Sequence, residues 1–289
     1  MSAHRNAQMG IKMKKFLQYT GCLLPLIAGL AAQLAAGTAF SIFLSAQISA
    51  QMPGASLQEI QSEAITRYME AAPFLILISH IVTIFMAALW FYYVSGKKLP
   101  ENPLKGFSLF TVPVMLLCMI GLQYTCSGIL MVISHLSPDL LTGYIQLLEA
   151  SGLESLSPVT LIATLFFAPI GEELLFRGLT LHFTKRITSR FWIANLLQAV
   201  CFGIFHANLV QGIYAMIMGL VFGYVREKYQ SLYASILLHA LVNFCGTIIS
   251  GLLLPDLEPG LGMSFAILCV AALVLAAGLK LVEKDTGKN

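Results

Sequence analysis

Long apolar runs, interrupted by short polar segments, dominate the pattern of the chain. A helix needs about 20 apolar residues to cross the roughly 30 Å hydrocarbon core of a bilayer. Backbone groups in lipid must be satisfied within their own segment, and no run alternates like a barrel strand, so we expect helices throughout. The predicted spans are residues 17–46, 73–95, 107–134, 158–184, 191–207, 209–226, 231–254 and 262–282.

This pattern predicts an all-α fold, a polytopic membrane protein built as an eight-helix transmembrane bundle. The composition agrees, with 57% hydrophobic residues, 11% charged residues and a mean hydropathy of +0.80. A soluble domain carries about 25% charged residues. We expect N-terminal helices and outer loops over 1–150, a core over 155–250, and a C-terminal helix and tail over 255–289. No phosphate-binding glycine loop is present, and nothing predicts a nucleic-acid partner.

Basic and acidic residues separate between the two sides of the predicted bundle. With the N-terminus inside, the inner segments hold all but two of the 17 Lys and Arg residues, the exceptions being Arg67 and Arg177. The outer loops hold acidic residues instead: Glu59, Glu63, Glu70, Asp139, Glu149, Glu154, Asp256 and Glu258. The positive-inside rule therefore predicts an integral membrane protein with both termini in the cytoplasm.

Two outer loops, 48–72 and 135–157, are long enough for short amphipathic helices lying on the membrane surface. Apolar residues repeat there at helical spacing, as Leu57, Ile60 and Ala64 in the first loop and Leu140, Tyr144, Ile145 and Leu148 in the second. A gating role for these helices stays open at this stage.

Smaller features of the sequence concern packing. The fifth and sixth spans are separated only by Ala207 and Asn208, which predicts a very tight or re-entrant connection. Gly219 and Gly223 form a GxxxG pair, which favours close approach of helices within the protein. Six cysteines lie in apolar runs without a CxxC pair, and we expect buried, unpaired thiols rather than a disulfide framework.

Three charged residues lie inside the fourth span, in the stretch APIGEELLFRGLT. Each costs roughly 2.5–3.5 kcal/mol to place at the centre of a membrane helix. Glu173 and Arg177 are four residues apart on one helix face, an arrangement that favours an ion pair. Glu172 points about 100° away around the helix, so the same arginine does not readily serve both carboxylates. Glu172 is therefore a candidate general base.

Two further pairs with a spacing of four lie on other spans. Phe202 and His206 share a face of the fifth span, and His239 and Asn243 share a face of the seventh. An imidazole and a carboxamide aimed at one point can donate to a developing oxyanion. Each pair alone also fits structural hydrogen bonding between helices. His80 and His182, the other histidines inside spans, carry no motif.

The three spans together carry a carboxylate, two imidazoles and an amide donor. These are the groups needed to hydrolyse an amide with water. The chain offers neither a GxSxG nucleophile nor an HExxH zinc helix. The three motifs, EExxxR, FxxxH and HxxxN, occur in this order over about 155–250. In this the chain resembles the CPBP family of intramembrane proteases, which includes type II CAAX-processing endopeptidases and Abi-like, bacteriocin-processing relatives.

The resemblance implies an intramembrane endopeptidase and assigns a role to each motif residue. Glu172 would activate the attacking water, and His206 would hold it. His239 and Asn243 would stabilise the oxyanion. Support would come from Glu173, Arg177 and Phe202.

The substrate that the resemblance implies is a membrane-associated protein or peptide in the lipid bilayer. It would be a CAAX-like protein, a bacteriocin or a signal-peptide precursor. We expect a bacterial cell membrane, although eukaryotic members of the family imply access from the cytoplasmic face. The oligomeric state is left open.

The need for a metal is also left open by the motifs. Relatives are classed with metalloproteases, and Glu172, His206 and His239 form a His2Glu set of the kind that holds zinc. A desolvated glutamate can instead deprotonate water without help. We expect glutamate-activated water and no tightly held metal.

Two other functions fit the same polar residues. Intramembrane Glu, His and Arg also build proton relays, so a proton- or ion-coupled transporter is one alternative. A non-catalytic membrane binder, as in bacteriocin immunity, is the other. The predicted span limits also raise a difficulty, because they place His206 near the outer end of its helix, Glu172 near the middle and His239 in the inner half.

Overall fold

The computed structural model describes residues 2–96, 104, 106–151, 156–249 and 259–287, with side chains described from residue 20 onward except at 249. All regular elements in these ranges are helical. In chain order the helices are α1 Ser2–Gln51, α2 Leu57–Val94, α3 Thr111–Leu136, α4 Pro138–Ser151, α5 Pro158–Ile187, α6 Phe191–Phe205, α7 Leu209–Tyr229, α8 Leu232–Phe244 and α9 Leu261–Thr286.

Two helices of the central part contain π-helical turns. α5 is continuous but includes the π-helical segments Ala163–Phe167 and Leu174–Thr180, and a third segment, Cys245–Ile249, continues α8. Segments of this kind are rare and are often found at functional sites. The motif glutamates lie on the six α-helical residues between the first two, Ala168–Glu173.

Six helices in the described part of the chain are long and apolar enough to cross a membrane: Thr20–Gln51, Leu57–Val94, Thr111–Leu136, Pro158–Ile187, Leu209–Tyr229 and Leu261–Thr286. Two apolar helices, Phe191–Phe205 and Leu232–Ile248, are shorter. The described residues of all eight predicted runs are mostly helical, the run 231–254 being described only as far as residue 249, but eight complete spans are not confirmed. The 15 residues of α6 rise only about 22 Å, less than the thickness of the hydrocarbon core.

The two predicted surface helices have different outcomes. Residues 57–72 do not form a separate helix, because α2 runs without a break from Leu57 for 38 residues. Ser56 and Glu59 cap its first turn in a reciprocal capping box. At about 57 Å the helix is longer than a bilayer core, so its first turns extend beyond it. α4 is a separate helix, as predicted, but its apolar face lines an internal cavity.

The turn between α6 and α7 is as tight as its sequence predicts. Ala207 has a φ of 53°, in the left-handed region that residues with a Cβ rarely adopt. Asn208 then caps α7 by accepting a hydrogen bond from the backbone N–H of Gln211 at 3.1 Å. The chain thus reverses direction within three residues of His206.

Close packing of α6 on α7 explains the GxxxG pair. A Cβ on Gly219 would lie 3.0 Å from the Cα of Ala199, and one on Gly223 would lie 1.9 Å from Oδ1 of Asn195. Asn195 donates to the backbone oxygen of Leu220 across this interface. The prediction of internal packing is confirmed.

The six cysteines are unpaired, as predicted. Five are buried, whereas Cys269 is exposed on α9. No disulfide or cysteine-based metal site is therefore needed to explain them.

One end of the bundle is rich in basic residues. Asp285 near the end of α9 accepts hydrogen bonds from Ser108, Thr111 and Tyr229, which places the end of α9, the start of α3 and the end of α7 together. Lys185 pairs with Glu227 at the same end. The basic residues described here are Lys185, Arg186, Arg190, Arg226, Lys228, Lys280 and Lys284.

The predicted orientation of this end in the cytoplasm stays a prediction. Several residues on which it rests lie outside the described residues or lack a described side chain: Arg5, Lys12, Lys14, Lys15, Lys97, Lys98, Lys105, Glu154, Asp256, Glu258 and Lys288. The predicted domain boundaries near 152–155 and 250–258 also lie outside the described residues.

Candidate active site

Glu172 lies on the wall of a cavity of about 870 Å³ inside the bundle. The lining comes from the second half of α3, the first halves of α5 and α7, the last turn of α6 and the second half of α8. α1, α2 and α4 complete the wall. Its polar lining residues are Gln33, His80, Gln123, Tyr144, Thr164, Glu172, His206, Gln211, Tyr214, His239, Asn243 and Thr247.

Two imidazoles flank the Glu172 carboxylate, one at each oxygen. Nε2 of His80 lies 3.5 Å from Oε1, and Nε2 of His239 lies 3.8 Å from Oε2. Glu172 is 8% exposed, so it is nearly buried but still contacts the cavity. A carboxylate in this position has both polar neighbours and access to space that can hold water.

Glu173, the neighbouring residue, faces away from the cavity and is fully buried. Its Oε1 accepts hydrogen bonds from Arg177 at 2.8 Å and from Nδ1 of His239 at 2.9 Å. The predicted ion pair with Arg177 is therefore present. The same carboxylate also holds the His239 ring with Nε2 directed to Glu172.

Arg177 is fully buried, and its charge is met by aromatic rings as well as by Glu173. Its Cζ lies 4.3 Å from the ring centroid of Phe202 and 5.1 Å from that of Phe222. Its Nε and second terminal nitrogen have no hydrogen-bond acceptor. The negative ring faces stabilise a cation in this setting, which gives Phe202 of the FxxxH motif a physical role.

Phe222 also contacts the histidine that Glu173 holds. Its ring stacks on the His239 imidazole with centroids 4.8 Å apart and an interplanar angle of 24°. The Phe222 ring thus contacts both the Arg177 guanidinium and the His239 imidazole. Sequence reasoning missed this residue, because a phenylalanine in an apolar span carries no signal of its own.

His206 directly follows the last residue of α6 and lines the cavity. The helix ends at Phe205, and the Nδ1 atom of His206 donates to the backbone oxygen of Phe202 at 2.8 Å. The predicted span limits placed His206, Glu172 and His239 at different depths. In the structure all three residues line one cavity, although α6 begins at the predicted residue and ends within two residues of the predicted end.

Asn243 is held by a carbonyl that the first π-helical segment leaves without a helical donor. Ala168 donates to the oxygen of Ala163, and residue 169, which would serve Thr164 in the π pattern, is a proline without an N–H. Nδ2 of Asn243 donates to the Thr164 oxygen at 2.8 Å. One further N–H of the amide remains for another acceptor.

The structure brings Glu172, His206, His239 and Asn243 to one cavity and places Glu173, Arg177 and Phe202 directly behind it. Their chemical roles stay predictions. The structure also adds His80, which the sequence marked only as a histidine inside a span. α4 covers the cavity with Leu141, Tyr144, Ile145 and Leu148, and the Tyr144 hydroxyl hydrogen-bonds that of Tyr214 at 2.6 Å.

Glu172, His206 and His239 are residue types that bind zinc, but they are not arranged as zinc ligands. Carboxylate and imidazole groups are common zinc ligands, at about 2.0–2.2 Å from the ion. Within the described residues, no group of three or more His, Cys, Asp or Glu side chains is placed to hold a metal ion.

Comparison with known families gives one match. Residues 154–245, roughly a third of the chain, match the family described as type II CAAX prenyl endopeptidase Rce1-like. Comparisons with curated proteins and with solved structures gave no match. The matched segment contains all three motifs, and the long apolar helices around it fit an integral membrane protein. Residues 154–245 are thus similar to the Rce1-like, type II CAAX prenyl endopeptidase family, which supports the resemblance that the motifs predicted.

Proposed function

We propose that this protein is an intramembrane endopeptidase in which Glu172 activates a water molecule to hydrolyse a peptide bond. The observation that carries the proposal is the cavity itself. A nearly buried carboxylate, imidazoles of α6 and α8, and an amide donor line one space of about 870 Å³. The match to a family of CAAX-type endopeptidases supports the same reaction class.

The proposed reaction begins with proton transfer from water to the Glu172 carboxylate as the water oxygen attacks the carbonyl carbon. Nε2 of His206 accepts a hydrogen bond from the other O–H of the water, and that hydrogen stays on the oxygen. The carbonyl becomes an oxyanion, and the free N–H of Asn243 donates to it. The proton on Glu172 then moves to the leaving amine nitrogen as the C–N bond breaks, which restores the carboxylate.

His239 is the second proposed donor to the oxyanion. Because its Nδ1 donates to Glu173, Nε2 donates to the oxyanion when the ring carries a proton. Glu173 stabilises that charged ring and keeps its orientation, as an acidic partner does for a catalytic histidine. The dry pair behind the cavity therefore supports the chemistry without contacting the substrate.

The charge distribution supports a proposal for the side of access. Cavity residues occupy the halves of α3, α5, α7 and α8 that lie away from the basic end of the bundle. If the basic end faces the cytoplasm, as the positive-inside rule predicts, the cavity opens to the other side of the membrane. The substrate is then a membrane-associated peptide cut from the non-cytoplasmic side, such as a bacteriocin or signal-peptide precursor, rather than a cytoplasmic CAAX protein.

Cysteine labelling tests the side of access. In a bacterial host, Gln211→Cys in the cavity should react with a membrane-impermeant maleimide added to intact cells. Arg190→Cys at the basic end should react only in inverted vesicles. The parent chain, which contains the same six native cysteines, provides the background. Labelling of both positions with the opposite sidedness would place the cavity on the cytoplasmic side.

The reaction is tested by peptidomics of membranes that contain the wild-type protein or Glu172→Gln at equal levels. Peptides that accumulate only with the wild type identify both the cleavage and the substrate. An equal peptide pattern, together with an ion flux in proteoliposomes that Glu172→Gln abolishes, would favour the transporter instead. Metal analysis of the active purified protein tests the proposal that no tightly held metal is required.

A further inference from the structure

His80 contributes a third imidazole to the cavity, from a helix outside the family match. It lies on α2, whereas all residues of the three motifs lie within 154–245. Its Nε2 is 3.5 Å from Oε1 of Glu172, closer than Nε2 of His239 is to Oε2. The side chain is 11% exposed, so this contact is almost as protected as the carboxylate itself.

The ring of His80 has the same arrangement as the two motif histidines. Its Nδ1 lies 2.7 Å from the backbone oxygen of Ile76, which can only accept, so the hydrogen is on Nδ1. His206 makes the matching bond to Phe202, and His239 makes it to Glu173. In each ring Nδ1–H is already bonded, and Nε2 is the nitrogen left for the cavity.

In the neutral ring, whose one hydrogen is on Nδ1, the Nε2 lone pair gains little attraction from the facing carboxylate, because both atoms are hydrogen-bond acceptors. The relation changes during the proposed reaction. When Glu172 takes the proton of the attacking water, its carboxyl becomes a donor, and Nε2 of His80 is the acceptor beside Oε1. The hydrogen bond is then made after proton transfer and not before it.

We propose that His80 is a positioning residue for Glu172, accepting a hydrogen bond from its protonated carboxyl until that proton moves to the leaving nitrogen. The inference rests on the proposed function. It also makes α2 part of the active site, so the catalytic unit extends beyond the segment that the family match covers.

Three substitutions separate this role from a structural one. Gln places an amide oxygen at about the reach of Nε2, whereas Asn places its amide near Nδ1 and keeps only the bond to Ile76. Ala keeps neither. His182→Ala is the matched control, since His182 is a partly exposed histidine of α5 outside the cavity lining.

The measurement is steady-state cleavage of the peptide identified by peptidomics, using full-length protein in proteoliposomes. We expect His80→Ala and His80→Asn to lower kcat about 10- to 100-fold with little change in KM, because the lost bond forms only after proton transfer. His80→Gln should retain most of the activity that Asn loses. His182→Ala should match the wild type.

The reverse order, with Asn active and Gln inactive, would show that only the bond to Ile76 matters and would overturn the proposal. Wild-type kcat in all three variants would overturn it as well. The Asn and Gln variants both keep a polar side chain, so their comparison holds even if the Ala variant fails to fold. If Glu172→Gln stops cleavage and the His80 variants do not, only this inference fails; if the wild type cleaves no peptide, the proposed function fails with it.

Discussion

Glu172 and Glu173 are adjacent in the chain, yet they lie in opposite environments. Glu172 contacts a cavity and two imidazole nitrogens at 3.5 and 3.8 Å, whereas Glu173 is fully buried against Arg177 and His239. A step of about 100° around the helix is enough to place Glu172 on the cavity side of α5, called the wet side here, and Glu173 on the buried side that holds Arg177, called the dry side. Two adjacent glutamates can therefore have different contacts and different access to water, although their side chains are identical.

Burying the Glu173–Arg177 ion pair costs free energy, and the pair also orients the ring of His239. A buried ion pair often contributes little net stability, although removing one partner is strongly destabilising. Here the pair also holds His239, and two aromatic rings meet the arginine charge. The dry side thus fixes the orientation of His239, whose Nε2 is directed to Glu172 on the wet side.

Exchanging the two glutamates for glutamine should produce the largest and most contrasting effects. Glu172→Gln should lower the cleavage rate by about 10²–10⁴-fold with normal thermal stability, because only the proposed general base is lost. Glu173→Gln should lower the free energy of unfolding by about 3–5 kcal/mol, because Arg177 is left without its carboxylate. Cleavage assays and thermal melts in detergent measure both.

A double variant controls that comparison. Glu173→Gln combined with Arg177→Met removes both charges and should recover part of the lost stability, since the uncompensated cation is gone. If Glu173→Gln alone melts like the wild type, the ion pair is not what stabilises the dry side.

Asn243→Ala should have the next largest effect, on the wet side. Loss of an oxyanion donor costs about 10²–10³-fold in kcat. The variant also leaves the Thr164 oxygen without its side-chain donor, so thermal stability is measured in parallel. Thr247→Ala, one turn further along in the same cavity, should keep wild-type activity. Equal losses in both variants would indicate a general disturbance of the cavity.

Phe202→Leu and Phe222→Leu test the aromatic rings around Arg177. Phe176→Leu is the control, because Phe176 is equally buried and packs on Phe202 without a ring face on the arginine. Beyond the packing loss seen in the control, we expect an extra destabilisation of about 1–2 kcal/mol, larger for the ring at 4.3 Å than for that at 5.1 Å. Thermal melts of the three variants decide this, and equal values would argue against a cation–π contribution.

Ala207→Gly should have the smallest effect. The left-handed φ of 53° costs a residue with a Cβ roughly 1–2 kcal/mol, and glycine removes that strain while adding entropy to the unfolded chain. We expect a gain in stability of about 1 kcal/mol or less, with cleavage unchanged. A clear loss of cleavage at normal stability would mean that the strained turn places His206.

The sequence predicted the helices well where their causes are local. The apolar runs form helices over most of their described residues, because lipid requires each segment to satisfy its own backbone, although α1 and α2 begin well before the predicted residues. It did not predict that α2 continues through residues 57–72, since a polar, amphipathic stretch is compatible both with a surface helix and with the extension of a span.

The candidate site also has features that the sequence predicted and features that it did not. The spacing of Glu172, Glu173 and Arg177 predicted two faces and one ion pair, which follow from the pitch of a single helix. His80 and Phe222 could not be predicted to join them, because neither is related to the motifs by spacing, and the cavity covered by α4 depends on several helices at once.

By itself the sequence determined an all-helical membrane chain, the motif residues and the family to which residues 154–245 correspond. Only the tertiary structure decided that His206 and Glu172 line the same cavity, that the Thr164 oxygen holds Asn243, and that α2 brings in His80. The physical reason is that helix periodicity acts over a few neighbouring residues, whereas a site between helices is set by how their side chains pack against one another.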